Sequence, residues 1–552
     1  MFEVSTTLTS PLLGDAQNSQ LMIIDILRHA IRRHPQQEIV TRRLEGDIHR
    51  YHYTDCYQRT CQLAHALTKL GVQPGDRVAT LAWNTYRHVE LYYAVSGIGA
   101  VIHTVNPRLI ADQIEWIIND AEATWLFVDL SFISLLEEFA PQLKTVKGIV
   151  VLADPDQQPE LTHQRLPIYN YERLLDGQPT EYNWPVFSEQ AAAMLCYTSG
   201  TTGNPKGVLS SHRSTVLHAQ AAASAELLDI DSDTVLMPMV AMYHVGAWGA
   251  PYAALLAGSK LVLPGAGMSG ADMYELITQE HVTVALGVPT IWLTLHNHLH
   301  ANRLQVPTLA RVCVGGAASP LGLVRIFNER YNVYWQPIWG MTETGPLVTS
   351  APPTAEIMAL PLEQRYAIQT TAGRPCFGID MEIFDLDGQP VPHDGVSSGE
   401  LKVRGPWITG SYFRRHDPDI FTDGWLATGD IAVIDPAGYM KVIDRKKDLI
   451  KSGGEWISSL DIENITSQHP AVNECCVVGV AHPKWDERPL LLIVPNGNTL
   501  LHKEEIYQFL EGKIAKWWMP DDVIFVDSLP HTGTGKLIKH ELRKKYFNLF
   551  ME

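Results

Sequence analysis

The run Ala191-Ala192-Ala193-Met194-Leu195-Cys196 leads into Tyr197-Thr198-Ser199-Gly200-Thr201-Thr202-Gly203-Asn204-Pro205-Lys206-Gly207. The apolar run reads as a buried strand. The loop after it holds three glycines, four aliphatic hydroxyl side chains and one lysine. Glycine lets a backbone close on a phosphate chain. Hydroxyl and backbone N–H groups donate to phosphate oxygens, and a lysine adds a point charge. A Gly/Ser/Thr loop taken alone is usually a surface turn. Lys206, set between Pro205 and Gly207, tips the reading to a phosphate-binding loop with Thr198, Ser199, Gly200, Thr201, Thr202, Gly203 and Lys206 as contacts. A Walker A loop would need G-x-x-x-x-G-K followed by Ser or Thr, and this loop lacks it. The late run Thr532-Gly533-Thr534-Gly535-Lys536 fails the same test, with Pro530 in place of the first glycine and Leu537 in place of the hydroxyl.

Outward from the loop, short β-branched runs alternate with helical patterns. Residues 56–70 and 88–98 read as helices. Residues 77–83, 123–128, 148–152, 234–237, 260–263, 282–286 and 311–314 read as strands. That alternation predicts parallel sheets covered by helices. No internal repeat is present. Near Gly373 the texture changes. Strands at 380–384, 399–403 and 439–443 are separated by tight Gly/Pro/Asp turns, an antiparallel, barrel-like pattern. The charge run Asp444-Arg445-Lys446-Lys447-Asp448 then separates two apolar patterns, which places a domain boundary at Asp444. The first twenty residues are polar and read as a loose arm.

Composition narrows the function. A chain of 552 residues needs at least two domains. It is 45% hydrophobic and 19% charged, as a globular protein is. The net charge of -18 argues against a nucleic-acid partner, which would need a basic face. Anionic substrates stay admissible, because local groups can hold a phosphate against the global field. Seven cysteines without a C-x-x-C pair give neither a disulfide framework nor a zinc site. The N-terminus lacks a signal-peptide pattern, no apolar run reaches spanning length, and the final residues are no peroxisomal address. A cytoplasmic enzyme is the expectation.

Five motifs then appear in a fixed order: the 197–207 loop, Trp339-Gly340-Met341-Thr342-Glu343-Thr344, Thr428-Gly429-Asp430, the 444–448 run, and Pro530-His531-Thr532-Gly533-Thr534-Gly535-Lys536. Together they resemble the adenylate-forming superfamily of acyl-CoA synthetases, luciferases and peptide-synthetase adenylation domains, over nearly the whole chain. DRKKDLIKSGGEWISS and KWWMPD make the likeness closest to medium- and long-chain fatty acyl-CoA synthetases. The resemblance implies an α/β fold: a large N-terminal domain, 1–443, of two helix-covered sheets and a small β-barrel, then a mobile α+β lid, 444–552. It implies a ligase that makes an acyl-adenylate from ATP and passes the acyl group to coenzyme A. Small molecules are then its partners, and the likeness to fatty acyl ligases admits a homodimer.

The residue types suit that chemistry. A carboxylate attacking the α-phosphate brings two anions together, so cations and a magnesium ion are needed. Glu343 is the Mg2+ candidate, since that ion takes hard oxygen ligands. Thr201 is the second.

The resemblance assigns the remaining roles. Thr342 would meet the α-phosphate, Trp339 the face of adenine in place of the more usual Tyr, and Gly340 and Met341 would flank it. Gly315, Gly316 and Ala317 would run along the adenine edge. Asp430 would accept the ribose hydroxyls, with Arg445 on ribose or phosphate. Lys536 would swing in over the reacting phosphate. Asp444 would be the hinge, and Gly453, Gly454, Glu455 and Trp456 would face the acyl site for coenzyme A in a second pose. In the segment 237–248, Tyr243 would belong to the acyl site, His244 would sit near the acyl carboxylate and Trp248 would gate the acyl tunnel. Short sulfur-containing acids, a carrier protein in place of coenzyme A, luciferase-like chemistry and a catalytically dead scaffold are the alternatives.

Overall fold

All twelve residues of the helix Tyr86–Gly97 are buried. Its sequence has no solvated face, as a helix enclosed on all sides requires. Thr85 caps it by accepting from the His88 N–H. Its charges are paired. Arg87 meets Glu45, Asp154 and Glu172 at 2.6–2.8 Å, and Glu90 meets Arg59 at 2.7 Å and the Tyr171 hydroxyl at 2.6 Å. Removing one partner of such a buried set would strand a charge. The helix shares one core with strands of two different sheets, including Val78 and Ile102 of one and Ile39 and Leu261 of the other.

The computed structural model describes residues 16–157, 166–198, 204–385, 387–446, 448–452, 455–497, 501–531 and 537–551. The first sheet runs Ile168–Asn170, Ile149–Leu152, Ala123–Asp129, Arg77–Leu81, Val101–Thr104, Ala192–Thr198 and Lys206–Ser211 in spatial order. Its pairings are parallel except the last, which is antiparallel and sets Thr198 opposite Lys206. The second sheet has a parallel centre of Glu38–Arg42, Lys260–Leu263, Val235–Pro238, Val284–Gly287, Arg311–Val314 and Tyr334–Gly340, with antiparallel strands at both edges. These central strands are mostly buried along their length, as strands covered on both faces must be.

The third sheet is antiparallel, formed by Asp380–Phe384, Ser398–Arg404, Trp425–Ile434 and Met440–Arg445 with the short Phe421–Thr422. Trp425–Ile434 alternates strictly between buried and half-buried, the mark of a strand with one covered face. A small α+β unit ends the chain. Val472–His482 and Asp486–Pro495 form its long hairpin, and its own core includes Ile462, Val477, Leu491 and Val523.

The expected strands and helices lie where the sequence put them, within a few residues. The stretch expected to be a loose arm is tied down at its last residue. Gln20 accepts from the Glu189 N–H and Leu21 donates to the Glu189 carboxylate, both at 2.9 Å, and Met22 is buried. All seven cysteines are buried free thiols. Among the described residues no helix is long and apolar enough to cross a membrane.

Burial sets the acid response of this fold. It pushes His49, His88, His103 and His212 down to about 4 and His218 to about 3. In an unfolded chain all five take protons near pH 6.5. Between pH 4 and 6.5 the unfolded state therefore binds more protons, and stability rises with pH, by up to about 1.4 kcal/mol per unit for each group. Asp129, pushed up to about 7 by burial, opposes this, as do Glu90 and Glu463, which burial also pushes up; the five histidines outnumber these three carboxyls. We expect the denaturant midpoint to rise from pH 5 to 6.5, with net proton uptake on unfolding at pH 5.5 measured in weakly buffered solution. Net release there would contradict the assignment.

Candidate functional site

Where strand Tyr334–Gly340 reverses into Leu347–Ser350, the turn is too tight for a side chain at its start. A Cβ on Gly340 would lie 1.8 Å from the Pro346 carbonyl oxygen. Gly345 closes the turn at φ +79°, and a Cβ there would meet the Trp407 carbonyl at 2.8 Å. Between them Thr342–Thr344 forms one 3-10 turn, pinned by the Met341 N–H donating to the Thr344 hydroxyl at 2.8 Å. Three cavities meet on this short segment.

The first, about 640 Å³, is lined by Gly316, Ala317, Trp339, Gly340, Met341, Asp430, Asp444 and Arg445, and by Asp461, Asn464, Trp518 and Lys539 of the small unit. It brings together the residues expected on adenine and ribose, except Gly315. Asp430 is only 1% exposed. The Trp339 indole N–H donates to one of its oxygens at 3.2 Å, and Arg445 Nε lies 2.8 Å from the other. Tryptophan here contributes more than a stacking face, because its N–H holds the carboxylate expected to face the ribose. Gly315 packs deeper, with Trp248 Cη2 3.3 Å from where its Cβ would be.

The second cavity, about 380 Å³, is lined by Thr342, Glu343, Trp407 and Tyr412 among others. Glu343 is 5% exposed and accepts from the Tyr412 hydroxyl at 2.6 Å. Lys206 Nζ lies 3.1 Å from Asp417 and 4.6 Å from the centre of the Tyr412 ring, a salt bridge and a cation–π contact on one ammonium. Tyr412 and Asp417 escaped the sequence reading. The stretch Tyr412-Phe413-Arg414-Arg415-His416-Asp417, dense in rings and charges, was the available signal.

The third cavity is small, about 20 Å³, and lies against Thr342 and Gly345 on another side. Met194, Cys196, His218, Val245, Gly246, Gly249 and Tyr252 are among its walls. Residues 245–249 all have positive φ, from 46° to 79°. Three of these are not glycine, and each such residue costs on the order of 1–2 kcal/mol. This left-handed turn carries Trp248, whose neighbours, rather than its ring, face the cavity. Tyr243 packs edge-on to Trp83 at 5.8 Å, and His244 occupies the N-cap position of the turn.

Asp444 connects the two parts of the chain. Its backbone pairs with Ile431 in the barrel sheet. Its carboxylate accepts from Ser459 N at 2.8 Å and Ser459 Oγ at 2.5 Å, at the start of helix Ser459–Thr466. Lys539 Nζ donates to the same Ser459 Oγ at 2.6 Å and pairs with Glu463 at 2.8 Å. Burial works against the Lys539 charge, but Glu463 and Asp444 hold its proton above the ordinary lysine range. Lys539 is thus an engaged, enclosed cation. Ser199, Gly200, Thr201, Thr202, Gly203, Gly453, Gly454 and Lys536 lie outside the described residues, as do the side chains of Glu455 and Trp456.

Residues 27–413 match the model of the AMP-binding enzymes, and residues 461–536 match that of the AMP-binding enzyme C-terminal domain. A 3-methylmercaptopropionyl-CoA ligase of Ruegeria lacuscaerulensis is 45% identical over 97% of this chain and 99% of its own. A medium-chain-fatty-acid–CoA ligase of Ectopseudomonas oleovorans is 42% identical over 98% of each. The crystal structure of an anthranilate CoA ligase in complex with anthranoyl-AMP superposes with a TM-score of 0.85 at 24% identity, over 96% of this chain and 98% of that one.

The turn geometry makes a direct prediction. Gly340→Ala forces backbone against backbone, and we expect a stability loss of about 2–4 kcal/mol by urea denaturation. AMP formation should fall at least tenfold in the fraction that stays folded. A variant with wild-type midpoint and rate would show that the turn has room to spare.

Proposed function

The chain belongs to the family of AMP-binding enzymes, and from that premise we propose how its residues share out the reaction. It is an AMP-forming acid–thiol ligase, an acyl-CoA synthetase. The observation that carries the finer reading is the convergence of three cavities on residues 339–346. One segment can then touch nucleotide, phosphate and acyl group at once.

In the first step the carboxylate oxygen of the acid attacks the α-phosphorus of ATP. The bond to the bridging oxygen breaks, and pyrophosphate leaves. Trp339 stacks on adenine, Gly316 and Ala317 run along its edge, and Asp430 accepts hydrogen bonds from both ribose hydroxyls. Thr342 donates to the α-phosphate. Lys206 exchanges Asp417 for phosphate oxygens. Lys536 brings a positive charge to the phosphorus as negative charge builds there. Magnesium, when bound, neutralises charge on the phosphate oxygens. Glu343 fits that ion as a hard carboxylate donor on a cavity wall, with Thr201 as a second oxygen. Among the described residues no cluster of three or more His, Cys, Asp or Glu could hold a metal by itself.

In the second step the thiol of coenzyme A attacks the acyl carbonyl carbon. AMP leaves with the electron pair, and the thiol proton passes to solvent. The small unit turns about Asp444 between the steps. Residues 453–456 then take the place that Lys536 held. The acid is an aliphatic carboxylate. Relatives named for a medium-chain fatty acid and for 3-methylmercaptopropionate support that reading at similar identity.

Two outcomes test this scheme. Lys536→Ala should lower AMP and pyrophosphate release from acid and ATP by at least a hundredfold. It should still convert supplied acyl-AMP and coenzyme A to thioester. Equal loss of both half-reactions would refute separate poses. Glu343→Gln should raise the Mg2+ concentration needed for half-maximal rate by about tenfold (about 1.4 kcal/mol), read as AMP formation against a magnesium titration.

A further inference from the structure

Three tyrosines pack together behind the third cavity. The ring centres of Tyr92 and Tyr93 each lie 5.6 Å from that of Tyr252. Two of the three hydroxyls are satisfied. Tyr92 donates to the Met242 carbonyl at 2.5 Å, and Tyr93 donates to the Pro251 carbonyl at 3.1 Å. Tyr252 is 2% exposed, and its buried hydroxyl has no hydrogen-bond partner. A buried donor without an acceptor is destabilising, and native structures rarely keep one. Tyr252 lines the cavity that also touches Thr342.

A second donor stands on the same wall. His218 Nε2 accepts the Leu347 N–H at 3.0 Å, and burial keeps the ring neutral, so the proton sits on Nδ1. The Nδ1–Cε1 edge faces Gly249, at 2.9 and 2.7 Å from the position a Cβ would take. Gly249 is itself a lining residue. Any larger residue there would collide with the ring. The rest of the wall includes Met194 and Cys196, polarisable and apolar.

The space is short. About 20 Å³ is the scale of one or two water-sized groups. A long alkyl chain would displace these walls and leave both donors facing methylene groups. A short chain carrying an acceptor atom would satisfy them. Taking the acyl-CoA ligase reading as given, we propose that Tyr252 is a specificity-determining residue: its hydroxyl donates to an ether or thioether heteroatom within a short acyl chain, selecting such acids over alkanoates. This departs from the medium- or long-chain acid that the motif resemblance suggested.

The test uses the full-length chain with Mg·ATP and coenzyme A. Values of kcat/KM, read as AMP formation, are compared for 3-methoxypropionate, 3-methylmercaptopropionate, pentanoate and decanoate. The first three have chains of equal length. We expect both heteroatom acids to exceed pentanoate by about tenfold or more, and decanoate to be the poorest (one neutral hydrogen bond is worth about that factor). Tyr252→Phe should bring the ratio of 3-methoxypropionate to pentanoate toward one. Its urea midpoint should equal or exceed that of the parent, because the substitution removes an unpaired buried hydroxyl. An unchanged ratio in Tyr252→Phe, or decanoate as the best substrate, would overturn the proposal while leaving the ligase reading intact. No AMP from any of the four acids or from other carboxylates would overturn the ligase reading and this proposal together.

Discussion

Backbone packing against backbone at Gly340 and Pro346 is the constraint on which the site depends. The reversal is so close that no Cβ fits, and it delivers Trp339, Met341, Thr342 and Glu343 to different cavities within five residues. A looser turn would carry the same side chains but let them drift. Interactions that stabilise developing charge lose most of their worth with such drift, because they depend on being aimed beforehand.

Around that turn the charges are already engaged. Lys206 rests on Asp417 and the Tyr412 ring, Glu343 accepts from Tyr412, and Asp430 holds both Trp339 and Arg445. A chain with a net charge of -18 can in this way keep a site for polyanions without a basic surface. The cations expected there, Lys206 and Arg445, are held in place by acidic and aromatic neighbours, which phosphate oxygens would replace in the proposed scheme.

Much of the fold was legible because its elements obey local rules. The buried parallel strands announce themselves as short β-branched runs, and the change to tight turns after Gly373 marks the antiparallel sheet. The ordered motifs likewise led to Gly316, Ala317, Trp339, Asp430 and Arg445, which share one cavity. Tyr412, Asp417, His218 and Tyr252 were not legible, because the first three act through a partner distant in sequence and only the fold leaves the Tyr252 hydroxyl buried and unpaired beside a cavity. His218 meets Leu347, and Tyr412 meets Glu343. Lys539 was not legible for the same reason, since only the folded chain sets it against Glu463 and Ser459. The role of the Trp339 N–H also needed the structure, because a stacking ring and a hydrogen-bond donor share one letter of sequence.

The ion network at Lys539 makes the last helix part of the machinery rather than an appendage. Asp444 and Glu463 both contribute to holding the proton on that lysine. Shortening the chain ahead of Lys539 would therefore remove more than eight residues of helix: it would leave two enclosed carboxylates with no counter-ion at the joint between the two parts of the molecule. Heterologous tags and fusions that strain this terminus would then be felt at Asp444 and Glu463, far from the point of attachment.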